Sequence, residues 1–326
     1  MLLWAHEIIG GELPSYETGP TPHPLVVGVA SPLTVFGRDV ASQGTLLLGA
    51  VAFATLVVAT YVSGKRAFSV PAGLVAALAV LVSPKFIYFG ASAYQGLMFL
   101  ALVACALVLE LREARRGRSV LALSIAGLIR PEAWLLSRLY WAYLYPTRST
   151  KRRVLDAFFV VVPPLLWAAS DMLVTGQPLW SLTSTQAGSE ALGRPTGVGV
   201  LPSRTAKGLL ELLTSPAVAA ALVGIVLTAV AARRRSTALV GLLGLAGGVG
   251  VVGLAVVGLP VVGKYFLVPS LAVAVFFGAT VGGWTRLPRR SEAASTRHGD
   301  SGPRRSAGRK ALNLQGPGSP GEHLVL

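Results

Sequence analysis

The sequence predicts an all-α protein: a polytopic transmembrane helix bundle of about nine helical segments, including one short hairpin, followed by a disordered basic C-terminal tail. Three observations predict it. Of 326 residues, 53% are hydrophobic and only 13% charged, with a mean hydropathy of +0.63, whereas a soluble domain carries roughly 25% charged residues. Apolar runs long enough to cross a bilayer, about 20 residues or somewhat fewer when packed among neighbours, recur along the chain. The Lys and Arg that give the net charge of +15 stand in short clusters between those runs, which is the pattern of cytoplasmic membrane loops. No stacking aromatics accompany the charge on a basic face, so nucleic acid is excluded as a partner.

The predicted spans are 45–63, 70–83, 94–109, 154–174, 214–232, 237–258 and 264–284. The stretch 119–145 is apolar but is interrupted by Arg130, Pro131 and Glu132. Basic clusters decide whether it crosses once or twice. They lie at Lys65 and Arg66, at 112–118, at 148–153, at 233–235 and at 286–290, and all should share one side. A single crossing would put the clusters at 148–153 and 233–235 outside. A hairpin of two short helices turning at Arg130-Pro131-Glu132 keeps all five inside.

This topology divides the chain into an exported N-terminal loop (1–44), a transmembrane helical domain (45–284) and a disordered cytoplasmic tail (285–326). The loops 85–93 and 175–213 and the turn 258–263 also fall outside. Translocating 44 polar residues with no preceding span is unusual, so an upstream transmembrane helix is expected. The tail is rich in Ser, Gly, Pro and Arg and cannot bury enough apolar surface to fold. The single cysteine, Cys105, lies inside an apolar run and reads as a packing residue.

Ionisable side chains at membrane depth cost roughly 2.5–3.5 kcal/mol each, so they face a partner or a cavity. Arg130 and Glu132 are therefore the first candidates: Arg130 has the planar donor fork that suits a phosphate, or it pairs with Glu132 and only fixes the turn. Arg138 snorkels. The N-terminal stretch WAHEIIGGELPSYETGPTPHPL crowds Glu7, Glu12, Glu17, His6 and His23 before the first span; a carboxylate there suits a general base at the bilayer surface, or the run is plain solvation. The two histidines are too loosely spaced to point to a metal, and no cofactor is expected. Asp171 closes its span ahead of TGQPLWS and either contacts a sugar or caps a helix. Lys264 and Tyr265 open the last predicted span at headgroup depth, where they suit an anionic headgroup or a plain interface anchor.

Four stretches resemble the GT-C superfamily of integral-membrane glycosyltransferases, in particular mannosyltransferase-like actinobacterial membrane proteins: the N-terminal stretch above, SPKFIYFGASAYQGLMFLAL, LALSIAGLIRPEAWLLSRLYW, and DMLVTGQPLWSLTSTQ with the later GKYFLVP. The resemblance implies transfer of a sugar from a polyprenyl-phosphate donor to a glycan, lipid or protein acceptor on the outer face of the plasma membrane. It implies Glu7 as catalytic base and gives the donor phosphate to Arg130 and Lys264, with Glu12, His23, Glu132, Asp171 and Tyr265 in support. Two features depart from the family pattern: Gln95 stands where an acid is common, and the first helix of the pattern is missing. A transporter or flippase is the rival reading, but it would need ionisable residues along a path through the spans, and these spans hold few acids. A non-catalytic membrane protein is the third.

Overall fold

A computed structural model describes residues 2–16, 21, 23–113, 117–231 and 234–282. The chain divides into two units, 1–287 and 288–326, and every described residue belongs to the first. The tail, Glu17 and the basic cluster at 286–290 lie outside the described residues.

The described chain is helical, with one isolated antiparallel bridge between Thr196 and Pro260. In order the helices are α1 (Leu2–Ile9), α2 (Pro24–Thr34), α3 (Arg38–Ala67), α4 (Val70–Leu81), α5 (Pro84–Ala91), α6 (Gln95–Arg112), α7 (Arg118–Gly127), α8 (Glu132–Leu144), α9 (Thr150–Thr175), α10 (Trp180–Ala191), α11 (Leu201–Leu212), α12 (Ser215–Ala231), α13 (Arg235–Val256) and α14 (Leu267–Gly282). Among the described residues, α3, α6, α9, α13 and the segment Gly263–Gly282 are long and apolar enough to cross a membrane. The number becomes seven if two bent pairs each count as one span: α4 with α5, bent by 63°, and Val198–Leu212 with Ser215–Val230, bent by 111°. This is a multi-pass membrane protein.

The elbows have local causes. α4 ends at Leu81, and Ser83 caps α5, which Pro84 opens; proline forces the residue before it out of helical geometry, and the Ser83 hydroxyl accepts from the Phe86 N–H at 3.4 Å. The same hydroxyl donates to the Leu212 carbonyl at 2.8 Å, which ties the α4–α5 elbow to the α11–α12 elbow.

Contacts between helix ends show which termini lie together. At one end the Ser69 hydroxyl donates to Gly282 O at 2.7 Å, and that of Ser119 to Ala106 O at 2.8 Å. There too the buried Glu110 carboxylate pairs with Arg235 and accepts from the Tyr140 hydroxyl at 2.6 Å. This end carries Lys65, Arg66, Arg112, Arg118, the cluster 148–153, Arg234 and Arg235. The opposite end holds the turn at Arg130. The apolar stretch therefore doubles back: Ser119 at the start of α7 and Tyr140 near the end of α8 both reach the end of α6, whereas the turn between them lies at the far end.

Helical segments also occur where loops were expected. The stretch 1–44 contains α1, α2 and the first residues of α3, and 175–213 contains α10 and α11. Hydropathy misses α10 because WSLTSTQAGSEA is polar, and it misses α11 because LPSRTAKGLLEL is apolar on one face only. Residues 85–91, read as part of a loop, belong to α5.

Candidate functional site

The site grows from the α7–α8 turn. Trp134 Nε1 donates to Gly127 O at 2.9 Å, closing the turn around Leu128–Pro131. Glu132 opens α8, where the helix N-terminus favours a carboxylate. The Arg130 side chain is 7% exposed and its Nε donates to both Glu132 oxygens, at 3.1 and 3.2 Å; its Nη2 also donates to Glu132. Nη1 donates to the Tyr94 hydroxyl at 2.9 Å. The guanidinium lies over the Phe99 and Tyr265 rings, 5.8 and 5.4 Å from their centroids, an arrangement that suits its planar, weakly hydrated charge. A buried charge is tolerable only when paired and hydrogen-bonded, and Arg130 is both.

Lys264 and Tyr265 come from the 3₁₀ turn Gly263–Phe266 ahead of α14. They share one narrow crevice with Glu132 and Phe99. The Lys264 ammonium lies 5.5 Å from the Tyr265 ring centroid and forms no ion pair among the described residues. Lys264 thus lines the crevice without an ion-pair partner among the described residues, and the committed Arg130 lies behind the Glu132 and Tyr265 side chains that line it too.

His23 precedes α2 in a left-handed conformation, with φ 42° and ψ 62°, strained for a residue with a Cβ. Its hydrogen bonds account for the strain. Nδ1 lies 2.6 Å from Ile129 O; a carbonyl only accepts, so Nδ1 carries the proton. Nε2, 3.0 Å from the Thr21 hydroxyl and 3.3 Å from the Gln95 amide nitrogen, is left as the acceptor. The neutral residue at Gln95 thus has a partner, and His23 clamps the carbonyl next to Arg130.

Burial, aided by the Arg130 charge, lowers the His23 pKa to about 4, against the opposing hydrogen bond to Ile129. Above the ordinary value near 6.5 both folded and unfolded forms are neutral. As pH falls from 6.5 toward 4, only the unfolded chain takes up the proton, so stability is lost across that window. Ring ¹⁵N spectra of histidine-labelled protein at pH 5.5 should show a neutral ring with its proton on Nδ1. A doubly protonated ring at that pH would contradict this placement.

A second cluster lies beside the first. Tyr16 OH donates to Asp171 Oδ1 at 3.3 Å, while Ser181 donates to Asp171 through its N–H at 2.9 Å and its hydroxyl at 2.6 Å. Asp171 therefore holds the start of α10 to the end of α9. Burial, with Asp171 adding to it, pushes the Tyr16 hydroxyl pKa up. Trp4 stacks on Tyr16 with centroids 5.0 Å apart, and the Glu7 carboxylate accepts from the Ser15 N–H at 3.1 Å. Glu12 is exposed. Trp167, one turn before Asp171, meets the His23 ring edge to face at 5.6 Å and links the clusters.

Arg130, Glu132, Lys264, Tyr265 and His23 thus come together, and Asp171 lies next to them. Glu7 and Glu12 belong to the N-terminal segment, and no described contact joins Glu7 to Arg130 or Lys264. Sequence reasoning missed Tyr94, which only its Arg130 contact reveals. It also missed Glu110, which its place at the end of an apolar span signals. Among the described residues no three His, Cys, Asp or Glu gather as a metal site.

The fold has a solved counterpart. It is similar to that of ArnT from Cupriavidus metallidurans. The likeness to the crystal structure of that protein in the apo state has a TM-score of 0.55 at 16% sequence identity, and it covers 90% of this chain and 56% of ArnT. The chain therefore spans little more than half the length of that protein, and at this identity the likeness concerns the fold. No protein-family profile and no curated protein sequence matches the chain.

Proposed function

We propose that the chain is a GT-C-like glycosyltransferase that moves a sugar from a polyprenyl-phosphate donor to an acceptor on the outer face of the plasma membrane. The likeness of the fold to that of ArnT supports the class. The observation that carries the reading is Lys264, without an ion-pair partner among the described residues, in a crevice it shares with Glu132 and Tyr265, the groups that the buried Arg130 guanidinium touches. The basic end of the bundle faces the cytoplasm by the positive-inside rule, which puts this crevice on the outer side.

In the proposed reaction the acceptor hydroxyl attacks the anomeric carbon and the bond from that carbon to the phosphate oxygen breaks. Glu7 takes the hydroxyl proton, and the charge left on the lipid phosphate is stabilised by Lys264, with Arg130 contributing its field. Attack from the face opposite the phosphate inverts the anomeric centre. Glu132 and Tyr265 orient the cations, and Asp171 fixes the segment that follows α9.

One observation favours a second reading, a non-catalytic membrane protein: Arg130 already spends three donors on Glu132 and Tyr94, as a purely structural lock would. Purified protein in liposomes, supplied with polyprenyl-phosphate sugars and a hydroxylated acceptor, separates the two. Lys264→Met and Glu7→Gln are each expected to lower transfer by at least a hundredfold with the thermal midpoint preserved. Wild-type rates in Lys264→Met would remove the phosphate site, and no transfer by the wild-type protein with any lipid-linked sugar would leave only the structural reading.

A further inference from the structure

The two helical elbows tied by Ser83 enclose an open cleft of about 470 Å³, lined by Ser83, Pro84, Lys85, Tyr88 and residues 210–214. Most of the wall is apolar, from Pro84, Leu210, Leu212, Leu213 and the Tyr88 ring. Two charges of opposite sign face it, Lys85 from α5 and Glu211 from α11. They are not paired with each other, and among the described residues neither has an ion-pair partner. The Lys85 ammonium instead sits over the Phe89 and Tyr88 rings, 5.2 and 5.7 Å from their centroids.

The cleft adjoins the crevice on two sides. A side chain at Gly263 would collide with the Glu211 carboxylate, so Glu211 lies against the backbone just before Lys264. On the other side Phe89, under the Lys85 ammonium, meets the Tyr94 ring at 4.5 Å, and Tyr94 bonds Arg130. The elbow angles of 63° and 111° turn α5 and α11 away from their spans. Through these contacts the cleft lies at the same end of the bundle as the Arg130 turn.

We propose that this cleft binds an anionic phospholipid whose headgroup carries free hydroxyls. The Lys85 ammonium takes the phosphate, the Glu211 carboxylate accepts from a headgroup hydroxyl, and the apolar wall receives the top of an acyl chain. A cation and a carboxylate held apart match a ligand with an acceptor group and a donor group in that order. A plain anion would be repelled by Glu211, and a choline headgroup, although its cation is attracted to that carboxylate, has no hydrogen to donate to it. That this lipid is the sugar acceptor rests on the glycosyltransferase reading; that it binds does not.

Native mass spectrometry of the full chain, released from nanodiscs of phosphatidylcholine doped with either phosphatidylglycerol or phosphatidic acid, tests the proposal. Phosphatidylglycerol should be retained over phosphatidylcholine, and over phosphatidic acid, which has the phosphate but no headgroup hydroxyl. Lys85→Gln should weaken retention of both anionic lipids about tenfold, whereas Glu211→Gln should weaken phosphatidylglycerol alone by a similar factor. Both residues lie at the surface of the cleft, and unchanged thermal midpoints in phosphatidylcholine would show that the variants fold. Equal retention of phosphatidylglycerol by wild type and both variants overturns the site. Retention of phosphatidic acid as strong as that of phosphatidylglycerol, unmoved by Glu211→Gln, overturns the headgroup assignment. Specific retention by a protein that transfers no sugar would leave this site standing and remove the enzyme.

Discussion

Arg130→Ala is expected to abolish sugar transfer and to destabilise the protein by about 3–5 kcal/mol, because it leaves the Glu132 carboxylate buried without its partner. The site separates these effects. Replacing both members of the pair with apolar residues, Arg130→Met with Glu132→Leu, removes the uncompensated charge and should recover most of the stability, since a buried pair is close to neutral against apolar residues of similar volume. The double variant should still transfer no sugar. Arg130→Lys keeps a charge but loses the fork that reaches both Glu132 oxygens and Tyr94, so intermediate stability with impaired transfer is expected. Thermal midpoints in detergent, read beside transfer in liposomes, test all three. If the double variant transfers sugar at the wild-type rate, Arg130 and Glu132 act only as a lock for the turn.

The hairpin was legible because two signals agreed. Arg130-Pro131-Glu132 breaks an apolar run, and the clusters on either side of it share a side only if the chain returns. Span positions were legible for a similar reason: hydropathy reports long apolar helices directly. What it could not report were helices with other reasons to exist. α11 buries one face, and α1, only eight residues long, is held by Trp4, whose indole nitrogen donates to Ser15 O at 2.7 Å. Within the site, Arg130 stood out as a cation at membrane depth and Lys264 as one at headgroup depth. The bond between His23 and Ile129 O spans 106 residues and leaves no mark on local sequence. Gln95, neutral where an acid was expected, takes on meaning only beside His23. Glu7 stood out by composition and resemblance, and its carboxylate turns back to its own segment through Ser15.

The second large effect is expected away from the crevice, at the seam between α3 and α4. A Cβ at Gly73 would overlap Tyr61 O and lie 2.8 Å from Lys65 N, and a Cβ at Gly64 would lie 2.8 Å from Gly73 Cα. These are backbone atoms, so no rotamer change relieves the contact, and the helices must move apart. Small residues let membrane helices approach this closely. Glycine to alanine within a helix gains about 1 kcal/mol of intrinsic propensity, whereas overpacking a tight contact costs about 1–3 kcal/mol. For Gly73→Val, with a branched side chain and little propensity gain, the overlap should win clearly. At Gly248 on α13 nothing lies within 4 Å of an added Cβ, so Gly248→Ala should be neutral or slightly stabilising. Because α4 leads through Val82 directly into Ser83, which ties both elbows, a displaced α4 also moves Lys85, Phe89 and, through Tyr94, Arg130. Gly73→Val should therefore lower the thermal midpoint and transfer together, whereas Lys264→Met should lower transfer alone. A Gly73→Val protein with the wild-type midpoint would mean that α3 and α4 separate without cost, and the route by which α4 positions the crevice would fail with it.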